Sequence, residues 1–431
     1  FCGIIACMRI LALCAILGMA AVAPAATVDG VWQLTITRFG EPFYRRATIQ
    51  TSGGKLTGHV EEMSVEGTAQ GDGVAFTIRR KDGTPFGEFK GTLLEGVLVG
   101  TAKIDDEPAN WTAQRMVERP AGGPQNHRFF ARTYYRVFSS EIPPVMHVFP
   151  GDSVTTRTVD AGGWDANHVR RSMGGNPLTG PFYIENAWPG DTLVVRFTRV
   201  RLNRDSAIHS DGIVSSAFDP DYYKDLKPVE KFDSEWRLDR ERGVAMLKNP
   251  TDKLKNFSVK VAPMLGCVGV APPGHNSFQS GYLGSFGGNM DYNQVREGVT
   301  LYFPVYHPGA LLFVGDGHAV EGDGELTGNA LETSMDVDFT VDVVHGQSID
   351  MPRGENDEYV MAMGIGNSLP DALQAATTNM AQWLERDYKL NSAEVAMVLG
   401  TTMRYDIAEI VDPLVNLVAK VPKSVLAQLR Q

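Results

Sequence analysis

Two textures of hydrophobic patterning divide the chain. Between residues 27 and 118, short runs such as "GVWQLTITRFG", "FYRRATIQTSGGKLTGHV" and "GDGVAFTIRR" alternate apolar and polar positions and stop at glycine turns. A period of two marks half-buried antiparallel strands. Strands so short and evenly spaced predict a small β-barrel or sandwich, a separate module over 27–118 in which no chemical constellation stands out. The stretch "ERPAGGPQNH" (Glu118 to His127) reads as a linker, placed over 119–128.

From 129 to 431 the strands lengthen: "TLVVRFTRVRL", "TLYFPVYHPGALLFVGDG" and "MDVDFTVDVV". The last puts Val337, Phe339, Val341 and Val343 on one face and acids on the other. Residues 205–257 are polar, highly charged and without clear period, and read as a long excursion over a cavity or a partner. Helical periodicity comes late. "SLPDALQAATTNMAQWLERDY" sets Leu373, Ala376, Met380 and Leu384 on one face with Pro370 in the first turn, and Asn391 and Glu394 have the spacing of a capping box. The predicted fold class is therefore mainly β with a few helices (β-rich α+β), a larger β domain with a C-terminal helical pair following the small module. The strand–helix alternation of a dinucleotide fold is missing.

Residues 1–26 stand apart. From Met8, "MRILALCAILGMAAVAPAA" is a basic residue, an apolar stretch and small residues around Ala21, Ala23 and Ala25, the layout of an export signal, with 1–7 upstream of its start methionine. The stretch is short for a membrane anchor. The expected location is periplasmic or secreted, with no membrane span in the mature chain. Removing this segment takes Cys2, Cys7 and Cys14 with it, so Cys267 alone would remain and no internal disulfide could form. A net charge of −11 argues against nucleic acid as a partner.

Common catalytic signatures are missing. "GSFGG" at Gly284 has the wrong spacing for a nucleophile elbow, and no phosphate-binding loop follows a strand. Cys267 sits in apolar "MLGCVGVAPP" without a basic neighbour, and reads as a small buried hydrophobe. The stretch "GDGHAVEGDGE" (Gly315 to Glu325) is different. Asp316 and His318, two apart, project to one side of an extended strand end. Gly322 and Gly324 permit a tight return that could bring Asp323 or Glu325 towards His318. A histidine among carboxylates can ligate a divalent metal or transfer protons. A solvated acidic turn fits the same spacing. Polar groups beside glycines recur in "VDAGGWDANH" with Asp160, Asp165 and His168, at Asn176, and in "GSFGGNMDYN" with Asn289 and Asp291, where each taken singly also reads as a turn.

Together, "NPLTGPFYIENAWPGDTLVV", "GGNMD", "YFPVYHPGALLFVGDGHAVEGDGE" and the closing helical segment resemble the acetamidase/formamidase family, from about Pro144 to the C-terminus. Asn176 heads an "NP" pair as in acetamidase-like members, while Glu321 stands where glutamine is common. The resemblance implies hydrolysis of a small linear amide to carboxylate and ammonia, with a divalent metal: zinc first, calcium or manganese as alternatives. It implies Asp160, His318 and Glu325 as metal ligands, and Asp316 and Asp323 as catalytic carboxylates, with Asp323 able to exchange roles with Glu325. Asn176, Asn289 and Asp291 would then bind substrate. Amide resonance must be overcome by an activated water, a stabilised oxyanion and a proton for the leaving amine, which such a set could supply. A lactam or larger amide admitted by 205–257, and a non-catalytic exported ligand-binding protein, are the competing readings. Beyond a small-molecule amide, a second copy in a homo-oligomer is the one partner left open.

Overall fold

The computed structural model describes residues 28–429, apart from 228, 230 and 231. The expected export signal and its three cysteines lie outside the described residues. The chain forms two compact units that meet in sequence at Met116 and Val117.

In the first unit, eight strands from Gly30–Arg38 to Glu107–Arg115 each pair antiparallel with their sequence neighbour. The first also pairs with the last, so of the two expected forms this is a closed barrel. Alternation explains its filling. Along Glu107–Arg115 only Ala109, Trp111 and Ala113 are buried. Inside, the Phe76 and Phe89 rings stack at 5.1 Å and Trp111 meets both edge-on at 5.5 and 5.9 Å. Gly91 makes room for that indole: a Cβ there would lie 2.6 Å from Trp111 Cζ2.

The second unit is built on a nine-stranded and an eleven-stranded sheet with a small two-stranded one. Met335–Val344 behaves as its alternation predicts. Met335, Val337, Phe339 and Val341 are buried and Val343 half-buried, while Asp336 on the other face meets Arg157 and Arg199 at 3.0 and 3.1 Å. The main core draws on both large sheets; Phe182 from one packs edge-on against Phe339 from the other at 5.3 Å. Each such ring contributes roughly 2–3 kcal/mol by leaving water.

Three segments differ from their sequence reading. Residues 205–257 are not an irregular excursion. Ser206–Ile208, Glu235–Asp239 and Val244–Leu247 extend the eleven-stranded sheet and enclose a small core around Trp236 and Leu238. The helix Leu369–Tyr388 buries Ala372, Ala376, Met380, Trp383 and Leu384, whereas Leu373 is exposed. The reason lies under it. A Cβ at Gly364 would come 2.1 Å from the Ala372 carbonyl, so the helix backbone rides on a glycine and small residues take the contact face. The stretch after Glu118 is fastened rather than loose. Gln125 and Arg119 donate to Asp152 at 2.7 and 2.6 Å, and Asn126–Arg128 pairs parallel with Ser153–Arg157. The capping box on Ser392–Thr402 forms as its spacing predicts. Among the described residues, no helix is long and apolar enough to cross a membrane.

Candidate functional site

The apolar run before "GDGH" becomes the strand Leu312–His318, buried along its whole length. It pairs with Met264–Gly269, with Leu178–Ile184 and, at its end, with Glu332–Thr333. Asp316 is bent into the left-handed region (φ 56°), as are Asn176 (49°), Asp291 (37°) and Glu325 (46°). Such a conformation costs a non-glycine residue of order 1–3 kcal/mol and persists where surrounding structure holds it, often at functional sites.

Opposite Asp316 stands Gly266. A side chain there would collide with Asp291 Oδ1 at 2.2 Å, Asp316 Oδ2 at 2.8 Å and His318 Cε1 at 3.0 Å. Three polar side chains therefore gather over a glycine that leaves space among them. His318 is fully buried. Its Nδ1 lies 2.8 Å from Glu321 Oε2, and its Nε2 lies 3.4 Å from Glu332 Oε1 and 3.6 Å from Asp316 Oδ2. Glu332 arrives through strand register, directly paired with His318.

Asn289 links this group to a second one. Its amide nitrogen donates to Asp291 and, at 2.8 Å, to Asp412; its oxygen accepts from Asn176 at 3.1 Å and from the Cys267 thiol at 2.7 Å. Asn176 also donates to Asp316 at 2.8 Å. The thiol lies 3.8 Å from Asp316 Oδ2. Cys267 is thus as buried as its apolar flanks predict, yet its sulfur faces the polar cluster.

The electrostatics are lopsided. Asp291, Asp316, Glu321, Glu325, Glu332 and Glu409 are all buried. Fully ionised, they would repel in a medium where each bare charge costs several kcal/mol. Burial, reinforced by neighbouring carboxylates, pushes Glu321 and Glu332 up to about 7, Glu325 to about 9, Glu409 to about 8 and Asp412 to about 6. Burial also raises the Cys267 thiol well above its ordinary value, so it stays protonated. For His318 burial opposes the charge, but Glu332 and Asp316 more than offset it and hold the imidazolium well above 6.5.

Several buried atoms have no hydrogen-bond partner: Asp291 Oδ1, Asp316 Oδ1, His318 Nε2, Glu321 Oε1 and Glu332 Oε2. Unpaired buried donors and acceptors are costly and call for a reason. Two sets of ligand-type atoms lie within 4.8 Å of one another: Asp291, His318, Glu321 and Glu325 in one, Asp316, His318 and Glu332 in the other. These are the residues that could hold a metal ion. Glu321 and Glu325 also line a cavity of about 190 Å³, with His209 and Asn329.

Five of the residues singled out in sequence, Asn176, Asn289, Asp291, Asp316 and His318, are joined here by direct contacts, and Glu325 stands with them. Two are not. Asp160 is buried, but Arg204 takes one carboxylate oxygen at 2.6 Å and the Trp164 amide takes the other at 2.9 Å. It belongs to neither ligand set. Asp323 is exposed and accepts from Asn293 at 2.7 Å, because the positive φ of Gly324 (86°) and Glu325 breaks the period of two and turns only Glu325 inward. Glu332, Glu409 and Asp412 went unread. The first is an acid at a strand start, and the others lie in "AEIVDP", which reads as a turn.

A sequence profile described as the Acetamidase/Formamidase family matches residues 284–427. The formamidase of Methylophilus methylotrophus is 23% identical over 260 residues, covering 47% of this chain and 62% of that protein. A Schizosaccharomyces pombe chain named provisionally as a formamidase is 27% identical over 35% of this chain and 47% of its own. The chain thus spans about half to three fifths of these curated relatives. Solved structures match more fully. A protein of Thermoanaerobacter tengcongensis described as a predicted acetamidase/formamidase superposes with a TM-score of 0.61 at 27% identity, over 71% of this chain and 99% of that one. An acetamidase of Bacillus halodurans gives 0.59 at 25% identity, over 70% and 100%. Over residues 284–427 this chain matches the acetamidase/formamidase family model, and its larger unit is similar in fold to these solved structures.

Proposed function

We propose that the larger unit hydrolyses the C–N bond of a small linear amide, of formamide or acetamide type, to carboxylate and ammonia. The observation that carries this reading is the buried imidazole–carboxylate cluster with unpartnered atoms beside a small cavity. The match to the family model and the names of the relatives support it.

The donor set fits a divalent cation: one imidazole nitrogen, several carboxylate oxygens, and an open cradle over Gly266. Such a set accommodates zinc, calcium or manganese. His318 Nε2, Asp316 and Glu332 would hold it, since Glu321 occupies Nδ1 and thereby fixes the ring and its tautomer. A cation there would acidify water and polarise a carbonyl. The rest falls to the protein. Asn176 and Asn289 present amide groups beside Asp316, suited to orient the substrate amide and steady negative charge on its oxygen. Glu325, which burial keeps protonated near neutral pH, is suited to deliver a proton to the departing nitrogen. In this assignment Asp316 and Glu325 exchange the roles that the sequence resemblance implied, Asp160 becomes a structural ion pair, and Asp323 lines the small cavity from outside the buried cluster.

Export to the periplasm or medium is part of the proposal and rests on the leader-like N-terminus. The test is ammonia release from formamide, acetamide and propionamide by the full chain, before and after chelation and after return of zinc, manganese or calcium. Turnover that falls on chelation and returns with one cation is expected; no ammonia from any amide with the cation-loaded protein would refute the reading.

A further inference from the structure

We infer that a second cavity, beside the carboxylate cluster, receives an uncharged aromatic group carried by the substrate. The inference rests on the amide-hydrolase reading. The cavity measures about 540 Å³, within the range of small-molecule sites, and is lined by residues between 160 and 248. All of them precede the stretch 284–427 that the family profile covers.

Its walls point to an uncharged, flat occupant. Two indoles, Trp164 and Trp236, face it, together with Ile208. Trp164 and Ile208 are 41% and 46% exposed, unusual for large apolar side chains placed at one opening. Histidine aside, the lining carries three acidic and three basic side chains, so no net charge recruits an ion. Two of these pairs are closed upon themselves: Asp160 with Arg204 at 2.6 Å, and Glu235 with Lys248. What remains to meet a ligand is largely aromatic and aliphatic surface, which favours flat apolar groups.

The cavity adjoins the site. Arg204, in its wall, also donates to the Glu332 carbonyl at 3.2 Å, and Ile208 pairs in register with Glu332. The next residue, His209, lines the small cavity with Glu321 and Glu325, while its ring meets that of Trp236 at 6.4 Å. Ile208 and His209 therefore border the two spaces, one each. A substrate whose amide reaches the cluster past Glu321 and Glu325, the two of its acids that line the small cavity, could pass its substituent beside His209 onto the indoles.

The test is equilibrium binding of phenylacetamide and acetamide to the full chain by calorimetry, in the unmodified protein and in Trp164→Ala and Ile208→Asp. Both side chains are partly exposed, so neither substitution empties a core position, and a thermal melt of each variant checks that it is folded. Phenylacetamide should bind at least about tenfold more tightly than acetamide, and each variant should erase most of that margin, as expected for loss of one apolar wall. Equal binding of the two amides, or a phenylacetamide affinity unmoved in both variants, would overturn the inference. Ammonia release is read separately, so failure of hydrolysis and failure of the aromatic subsite are distinct results.

Discussion

At the scale of single residues the site depends on one base, one glycine and one thiol. His318 is the sole titratable base in either ligand set. Its replacement by alanine should leave a folded protein with lost turnover and reduced bound metal, read by ammonia assay and metal analysis; an active, metal-replete variant would refute its role. Gly266→Ala should be nearly as damaging, because its Cβ would occupy the cradle; the overpacking should also cost about 1–3 kcal/mol in denaturant unfolding. Cys267 behaves differently from its reading as a plain hydrophobe. A protonated thiol donating at 2.7 Å to Asn289 fixes which way that amide points. Cys267→Ser keeps a donor and should retain kcat within about threefold. Cys267→Ala should lose about tenfold, the worth of one neutral hydrogen bond. An alanine variant as active as the serine one would show that the thiol only fills space.

At the scale of elements, local pattern carries the outline and long-range pairing carries the site. The barrel strands, the Met335–Val344 strand and both C-terminal helices follow from periodicity and caps within their own segments. Asp316 and His318 were legible because a period of two sets them on one side of one strand. Glu332 was not, since its position depends on the pairing of its strand with His318, which no local signal encodes. Asp160 was misread for a similar reason: Arg204, 44 residues away, claims it. The element after Glu118 illustrates the same lesson in electrostatic form. Burial opposes ionisation of Asp152, but donors from Gln125, His127, Arg119 and Phe149 hold its pKa at about 2. A carboxylate depressed in the folded state stabilises above its unfolded value and loses that contribution as pH falls towards 2. The gap in thermal midpoint between the unmodified protein and Asp152→Asn should therefore be wide at pH 7 and shrink only as pH falls from about 4 towards 2.

For the whole molecule, the cluster gives the metal-free protein the opposite dependence at higher pH. Glu321, Glu325, Glu332, Glu409 and Asp412 keep protons in the folded state that the unfolded chain has already released. A folded state that binds more protons loses stability as pH rises. In chelator the thermal midpoint should fall between pH 6 and 9, and a divalent cation should flatten that slope. A midpoint that climbs over this range in chelator would contradict the geometry of the cluster.

The closed barrel has a further consequence, which concerns timing. Each of its strands pairs with the strand just before it, and one join of first to last completes the wall. The larger unit must instead bring together groups such as Arg157 and Asp336, 179 residues apart. Distant pairings are slow because the intervening chain must be closed into a loop before any contact rewards it. On a ribosome the barrel can finish while the segments bearing Asp316, Glu332 and Asp412 are still unmade. The acidic cluster is assembled last, so a half-made chain holds one completed module before any of these carboxylates is brought together.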